Sequence, residues 1–125
     1  MAAKKPSILL IEDDEMISMM YQTKFSMEGH TIQTAADGAE GLEKARASKP
    51  DVILLDIILP KLDGFSVLKE LKNDPETKKI PVILLTNLGQ DDDVKKGKDL
   101  GADDYFIKSN HTPAEIVAKV KEMLQ

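Results

Sequence analysis

The stretch "DVILLDIILPKLDG", residues 51–64, carries four aliphatic residues, Val52 to Leu55, then an aspartate, and soon after it Pro60 and Gly64. An unbroken apolar run of that length reads as a strand covered on both faces, and the proline and glycine mark a turn beyond it. Asp56 therefore stands where a buried strand runs out. A carboxylate in such a place must be exposed, paired or bound, because an isolated buried charge is too costly to keep.

Four further runs accompany this one: "SILLI" (7–11), "HTIQTA" (30–35), "PVILL" (81–85) and "DYFIK" (104–108). Three of the five, at 7–11, 52–56 and 81–85, are almost wholly aliphatic and predict central parallel strands. The run at 30–35 alternates, with Thr31, Gln33 and Ala35 opposite Ile32 and Thr34, and is expected at an edge.

Helical patterns separate the strands. Ile17, Met20, Tyr21 and Phe25 form one apolar stripe, stopped by Gly29. Phe65, Leu68 and Leu71 form another, and Ile116, Val117, Val120 and Leu124 a third. The third opens on "TPAE", where Thr112 caps, Pro113 suits the first turn and Glu115 completes a capping box. Segment 37–47 is rich in Ala and Gly and reads as a weaker helix. Segment 90–100, "QDDDVKKGKDL", has little apolar content beyond Val94 and Leu100, so its helix is expected to be the least firmly docked.

Five strand–helix units in series predict an α/β fold: a doubly wound, five-stranded parallel sheet with helices on both faces. At 125 residues the chain is expected to make one domain, 1–125, with its core over about 7–124 and no room for an output domain. The formal charge of −5 argues against nucleic acid as the direct partner. Absence of cysteine removes disulfides and thiolate chemistry. The apolar stretch Ile8 to Ile11 is far too short for a secretory core and no transmembrane span is present, which predicts a soluble cytoplasmic chain without membrane insertion.

In such folds ligands bind beyond the carboxyl ends of the strands, where strand order reverses. The residues there are Glu12, Asp13 and Asp14 after the first strand, Asp56 at the end of the third, Thr86 after the fourth and Lys108 closing the fifth. Singly, each reads as a cap, a turn residue or solvated surface. Together they bring several carboxylates, a hydroxyl and an ammonium to one edge.

Clustered carboxylates repel, and protonation or a cation relieves the repulsion. One or two carboxylates completed by water and a phosphate oxygen suit Mg²⁺, whereas "DDDVKKGKDLGADD" lacks the ligand spacing of a Ca²⁺ loop. The acids also oppose a flavin phosphate, and neither G-x-G-x-x-G nor a P-loop pattern occurs. A carboxylate beside Mg²⁺, with an ammonium and a hydroxyl near it, can attack a phosphoryl group. His30 begins an edge strand and His111 lies in a loop, so the phosphoryl donor is expected to come from outside the chain.

With "LLIEDDE" (9–15), "VILLDIILPKLDG" (52–64), "VILLTN" (82–87) and "GADDYFIK" (101–108) in this order, the chain resembles the receiver domain of bacterial two-component response regulators, of the single-domain chemotaxis-regulator type. The likeness runs from Ile8 to Leu124. It implies the flavodoxin-like strand order 2-1-3-4-5 with five helices. Asp56 would be the phosphoacceptor, exposed because it is the nucleophile. Asp13 would bind Mg²⁺ directly, Glu12 through water, and Asp56 and the backbone carbonyl of Ile58 would complete the set. Asp14 would be an outer acid that starts the next helix, and Pro60 and Gly64 would shape the loop beside the site. Thr86 and Tyr105 would form a switch pair that biases the face made by the fourth helix, fifth strand and fifth helix, and Lys108 would neutralise the phosphoryl group.

The resemblance further implies a sensor histidine kinase or histidine phosphotransfer protein as donor and a downstream protein as effector, with phosphorylation-dependent homodimerisation left open. It implies a phosphoacceptor that assists its own phosphorylation and dephosphorylation, and no turnover enzyme. Two positions depart from the family pattern. Ser109 stands where a proline usually follows the lysine, which favours a trans bond there. Asn87 stands where a small residue usually follows the threonine. The alternatives are a phosphate-independent binding module, which would be expected to have lost part of this set, and an aspartate-nucleophile phosphatase, which needs an acid where Ile58 stands.

Overall fold

The computed structural model describes residues 6–124. Five parallel strands form one sheet: β1 (Ser7–Ile11), β2 (Thr31–Ala35), β3 (Val52–Leu55), β4 (Val82–Thr86) and β5 (Asp104–Ile107), in the order β2-β1-β3-β4-β5. Helices α1 (Glu15–Met27), α2 (Gly38–Ser48), α3 (Gly64–Asn73), α4 (Asp91–Asp99) and α5 (Pro113–Met123) connect them or follow them, and a short 3₁₀ turn covers Lys108–Asn110. The expected order and helix count hold. Among the described residues no helix is long and apolar enough to cross a membrane.

The aliphatic runs are central because helices cover them on both sides. Leu9, Ile11, Ile53, Leu55, Val82 and Leu84 point into a core shared with Leu42 and Ala45 of α2 and Val67, Leu68 and Leu71 of α3. The alternate residues Ile8, Leu10, Val52, Leu54, Ile83 and Leu85 meet Tyr21 and Phe25 of α1 and Ile116, Val117 and Val120 of α5. The period of two thus divides each strand between two cores. β2 lies at the edge as its alternation predicts, with Thr31 and Gln33 exposed and Ala35 buried.

The helix starts follow local capping chemistry. Asp14, Asp37 and Asp63 each accept a hydrogen bond from the backbone of their helix's first turn. Thr112 and Glu115 close the predicted capping box. The weaker helix expected over 37–47 is a full one, Gly38–Ser48, despite its glycines. A Cβ on Gly41 would stand 2.5 Å from Ile11, so the small residues let α2 sit close on β1.

Helix α4 is the exception in its mode of attachment. Its N-terminus has no side-chain cap, and Gly97 is its only buried residue. Gly97 faces Leu84 and the ring of Tyr105, where a Cβ would come within 2.6 Å and 3.1 Å. The ammonium of Lys96 lies 4.6 Å from the centre of the Phe65 ring on α3. A glycine that looks like a weak point in the sequence is the docking surface of the helix.

Candidate phosphoacceptor site

The sheet reverses its strand order between β1 and β3, because β1 leads to β2 on one side while β3 leads to β4 on the other. Parallel pairing sets Ile11 beside Leu55, so the residues that follow, Glu12 and Asp56, emerge together at the carboxyl edge. The Asp56 N–H donates to the Ile11 carbonyl at 3.0 Å, and the Glu12 N–H donates to the Ala35 carbonyl at 2.9 Å. Both acids are therefore fixed by backbone bonds before their side chains do anything.

Oxygens of Glu12, Asp13 and Asp56 all lie within 4.8 Å of one another. Lys108 enters from beyond β5. Its ammonium donates to Asp56 Oδ2 at 2.9 Å and to Glu12 Oε1. Asp56 Oδ1 accepts from the Ile58 N–H at 3.3 Å, and Glu12 Oε2 from the Asp14 N–H at 3.1 Å.

The expectation that Asp56 is exposed is corrected here. Asp56 is 7% exposed and Glu12 only 4%, whereas Asp13 is open to solvent. Lys108 is the reason: its charge offsets the burial of two carboxylates that would otherwise repel each other. Burial pushes the Glu12 carboxyl up from its ordinary range, against the pull of Lys108. Burial alone would lower the Lys108 ammonium, but its hydrogen bonds to Glu12 and Asp56 outweigh that and raise it. Three acids against one base leave the site short of positive charge, and all-oxygen donors of this kind suit a hard divalent cation.

Thr86 is the last residue of β4, one position earlier than a residue following the strand, and is fully buried. Its Oγ1 accepts from the Leu88 N–H at 3.4 Å. Tyr105 pairs with Leu84 in the sheet, so Thr86 and Tyr105 project from the same face of adjacent strands. The Tyr105 hydroxyl donates to the Leu88 carbonyl, in the loop that begins at Thr86. The family resemblance implied this pair but gave no place to Leu88, which joins the two through its backbone and so carries no side-chain signal.

Ile58 exposes its side chain and turns its N–H to Asp56. Gly64 is buried against the Asp56 peptide, and its N–H donates to the Ile57 carbonyl at 2.7 Å. Asn87 and Ser109 are exposed, and the described residues contain no cis peptide bond. Asp14 serves as the cap of α1, as predicted.

Burial and the charges of Asp93 and Asp56 push the Tyr105 phenol up to about 12. Burial also raises Tyr21. A folded-state value above the unfolded one favours the protonated form, so this contribution to stability is complete below about pH 10 and is lost as pH rises through about 12. Absorbance at 295 nm is expected to show less phenolate in the folded chain at pH 10 than in the unfolded chain. Titration of either tyrosine at its ordinary value would contradict the packing of both rings.

The profile of the response regulator receiver domain matches residues 8–121. The chain belongs to the response regulator receiver domain family. The DNA-binding dual master transcriptional regulator RpaA of Synechocystis is 43% identical over 120 residues, 96% of this chain and 49% of that protein. The alkaline phosphatase synthesis transcriptional regulatory protein PhoP of Bacillus subtilis is 41% identical over 94% of this chain and 48% of its own length. The receiver domain thus spans about half the length of the curated relatives it matches. Among solved structures, the Francisella response regulator 1452 receiver domain superposes with a TM-score of 0.88 at 32% identity, covering 96% of this chain and 97% of that one. The chemotaxis protein CheY4 of Vibrio cholerae gives 0.88 at 27% identity, over 95% and 98% of the two chains.

Proposed function

We propose that Asp56 is the phosphoacceptor of a two-component phosphorelay and that a sensor histidine kinase or histidine phosphotransfer protein supplies the phosphoryl group. The observation that carries this reading is the pairing of Lys108 with Asp56 beside the acid pair Glu12 and Asp13, at the reversal point of the sheet. In the transfer, an Asp56 oxygen bonds to phosphorus as the bond from phosphorus to the donor's imidazole nitrogen breaks, and that nitrogen keeps the electron pair. Lys108 stays protonated and stands where charge accumulates on the transferred group. Thr86 would offer its hydroxyl once it gives up the hydrogen bond from Leu88.

Mg²⁺ fits the donor set, with Asp13, Asp56, Glu12 and the Ile58 carbonyl as the groups that would hold it, and it would neutralise phosphoryl charge. The exposed side chains of Met16, Met19 and Ile58 come from the segments that carry Asp13 and Asp56, and they give an incoming donor an apolar rim. The Thr86–Leu88–Tyr105 connection supports α4, β5 and α5 as the face that responds and binds an effector protein. On this reading the chain is a signalling phosphoacceptor and no turnover enzyme.

The test is intact mass after incubation with acetyl phosphate. One phosphoryl adduct is expected, dependent on Mg²⁺ and lost in Asp56→Asn. No adduct, together with no response to beryllofluoride, would favour a phosphate-independent binding module instead.

A further inference from the structure

Hydroxyls inside a helix usually bond back to the carbonyl one turn earlier. Thr23 of α1 does so to Met19 at 3.0 Å, and Ser48 of α2 to Lys44 at 2.8 Å, although both side chains are exposed. Ser18 of α1 is only 9% exposed, yet its hydroxyl makes no hydrogen bond among the described residues. It lines a pocket of about 360 Å³ between α1 and the end of β2, where Thr34 stands opposite. We propose that this pocket binds a small organic cation of the alkylamine class. The inference does not rest on the function proposed above.

Charge selects the occupant. The charged side chains that line the pocket, Glu12, Asp13 and Glu15, are all acidic, so an anion would be repelled. Lys108 pairs with Glu12, whereas Asp13 and Glu15 have no ion-pair partner among the described residues. A bare metal ion would need these acids to converge. Glu15 lies outside the trio of Glu12, Asp13 and Asp56 whose oxygens come within 4.8 Å of one another. An ammonium on a carbon chain needs no such convergence. Its N–H donors match the carboxylates of Asp13 and Glu15 and the Ser18 hydroxyl, and its methylenes match the thioether of Met19. The volume falls within the range of roughly 300–1,000 Å³ that small-molecule sites occupy. Asp56, Thr86 and Lys108 do not line the pocket, so it extends away from the phosphoacceptor site and shares only Glu12 and Asp13 with it.

Backbone amide shifts of the 125-residue chain, followed by NMR without Mg²⁺, test this with 1,4-diaminobutane as the probe. The probe is added to about 20 mM, a range suited to a millimolar site, with NaCl holding the ionic strength constant. Saturable shifts are expected at Ser18, Gln22 and Thr34, which line the pocket. Ser18→Ala removes the hydroxyl at a helix-favouring position, and Glu15→Gln removes a charge from an exposed side chain, so the fold is retained in both. Each is expected to weaken binding at least about threefold. Glu43→Gln, at an exposed acid of α2 outside the pocket, is the control and should leave binding unchanged. Absence of saturable shifts at the three reporters overturns the proposal. So does binding that Ser18→Ala and Glu15→Gln leave intact, or that Glu43→Gln weakens as much, since either marks general attraction to an acidic chain.

Discussion

Lys108→Met is expected to slow phosphorylation of Asp56 about a hundredfold or more and to destabilise the fold by about 3 kcal/mol. The two effects have separate origins. The rate would fall because the ammonium no longer offsets the negative charge on the transferred phosphoryl oxygens. Stability falls because Glu12 and Asp56, both buried, lose the ammonium that pairs them and face each other uncompensated. In a domain of this size the loss corresponds to a drop in Tm of about 10 °C.

A double-mutant cycle separates the pair from its parts. Asp56→Asn removes one of the two repelling carboxylates, so Lys108→Met/Asp56→Asn should be more stable than Lys108→Met alone, as read from urea midpoints. If Lys108→Met unfolds at the same midpoint as the wild type, the three side chains do not form one energetic unit. The burial of Asp56 would then need another cause.

Gly64→Ala is expected to cost about 3 kcal/mol or more and to reduce phosphorylation with it. A Cβ on Gly64 would stand 2.2 Å from the Asp56 carbonyl oxygen and 2.5 Å from the Ile57 Cα. Both are backbone atoms, so neither can turn aside, and the peptide that follows Asp56 has to move. Gly29 supplies the contrast. It has φ of +85° with nothing within 4 Å, so Gly29→Ala meets only the left-handed backbone penalty of about 1 kcal/mol. Denaturation midpoints measure both variants. Equal losses at the two positions would show that the loop after Asp56 yields more readily than its packing indicates.

Local order accounts for what the sequence determined unaided. The five runs, their division between central and edge strands and the capping box at Thr112 all depend on near neighbours. Periods of two and near four record which side of an element is covered. The order of those elements was enough to place Glu12, Asp13, Asp56, Thr86 and Lys108 at one edge, because parallel strands with intervening helices all end on the same side.

Tertiary structure decided how those groups meet. Lys108 lies 52 residues from Asp56 and 96 from Glu12, and no local pattern records that one ammonium serves both. That sharing is what allows Asp56 to be buried where the sequence suggested an exposed nucleophile. The same holds for Gly97, a helix weakener by composition that becomes a contact once α4 meets Tyr105. Propensity acts along the chain, whereas pairing and close approach act across it, and only packing makes the second visible.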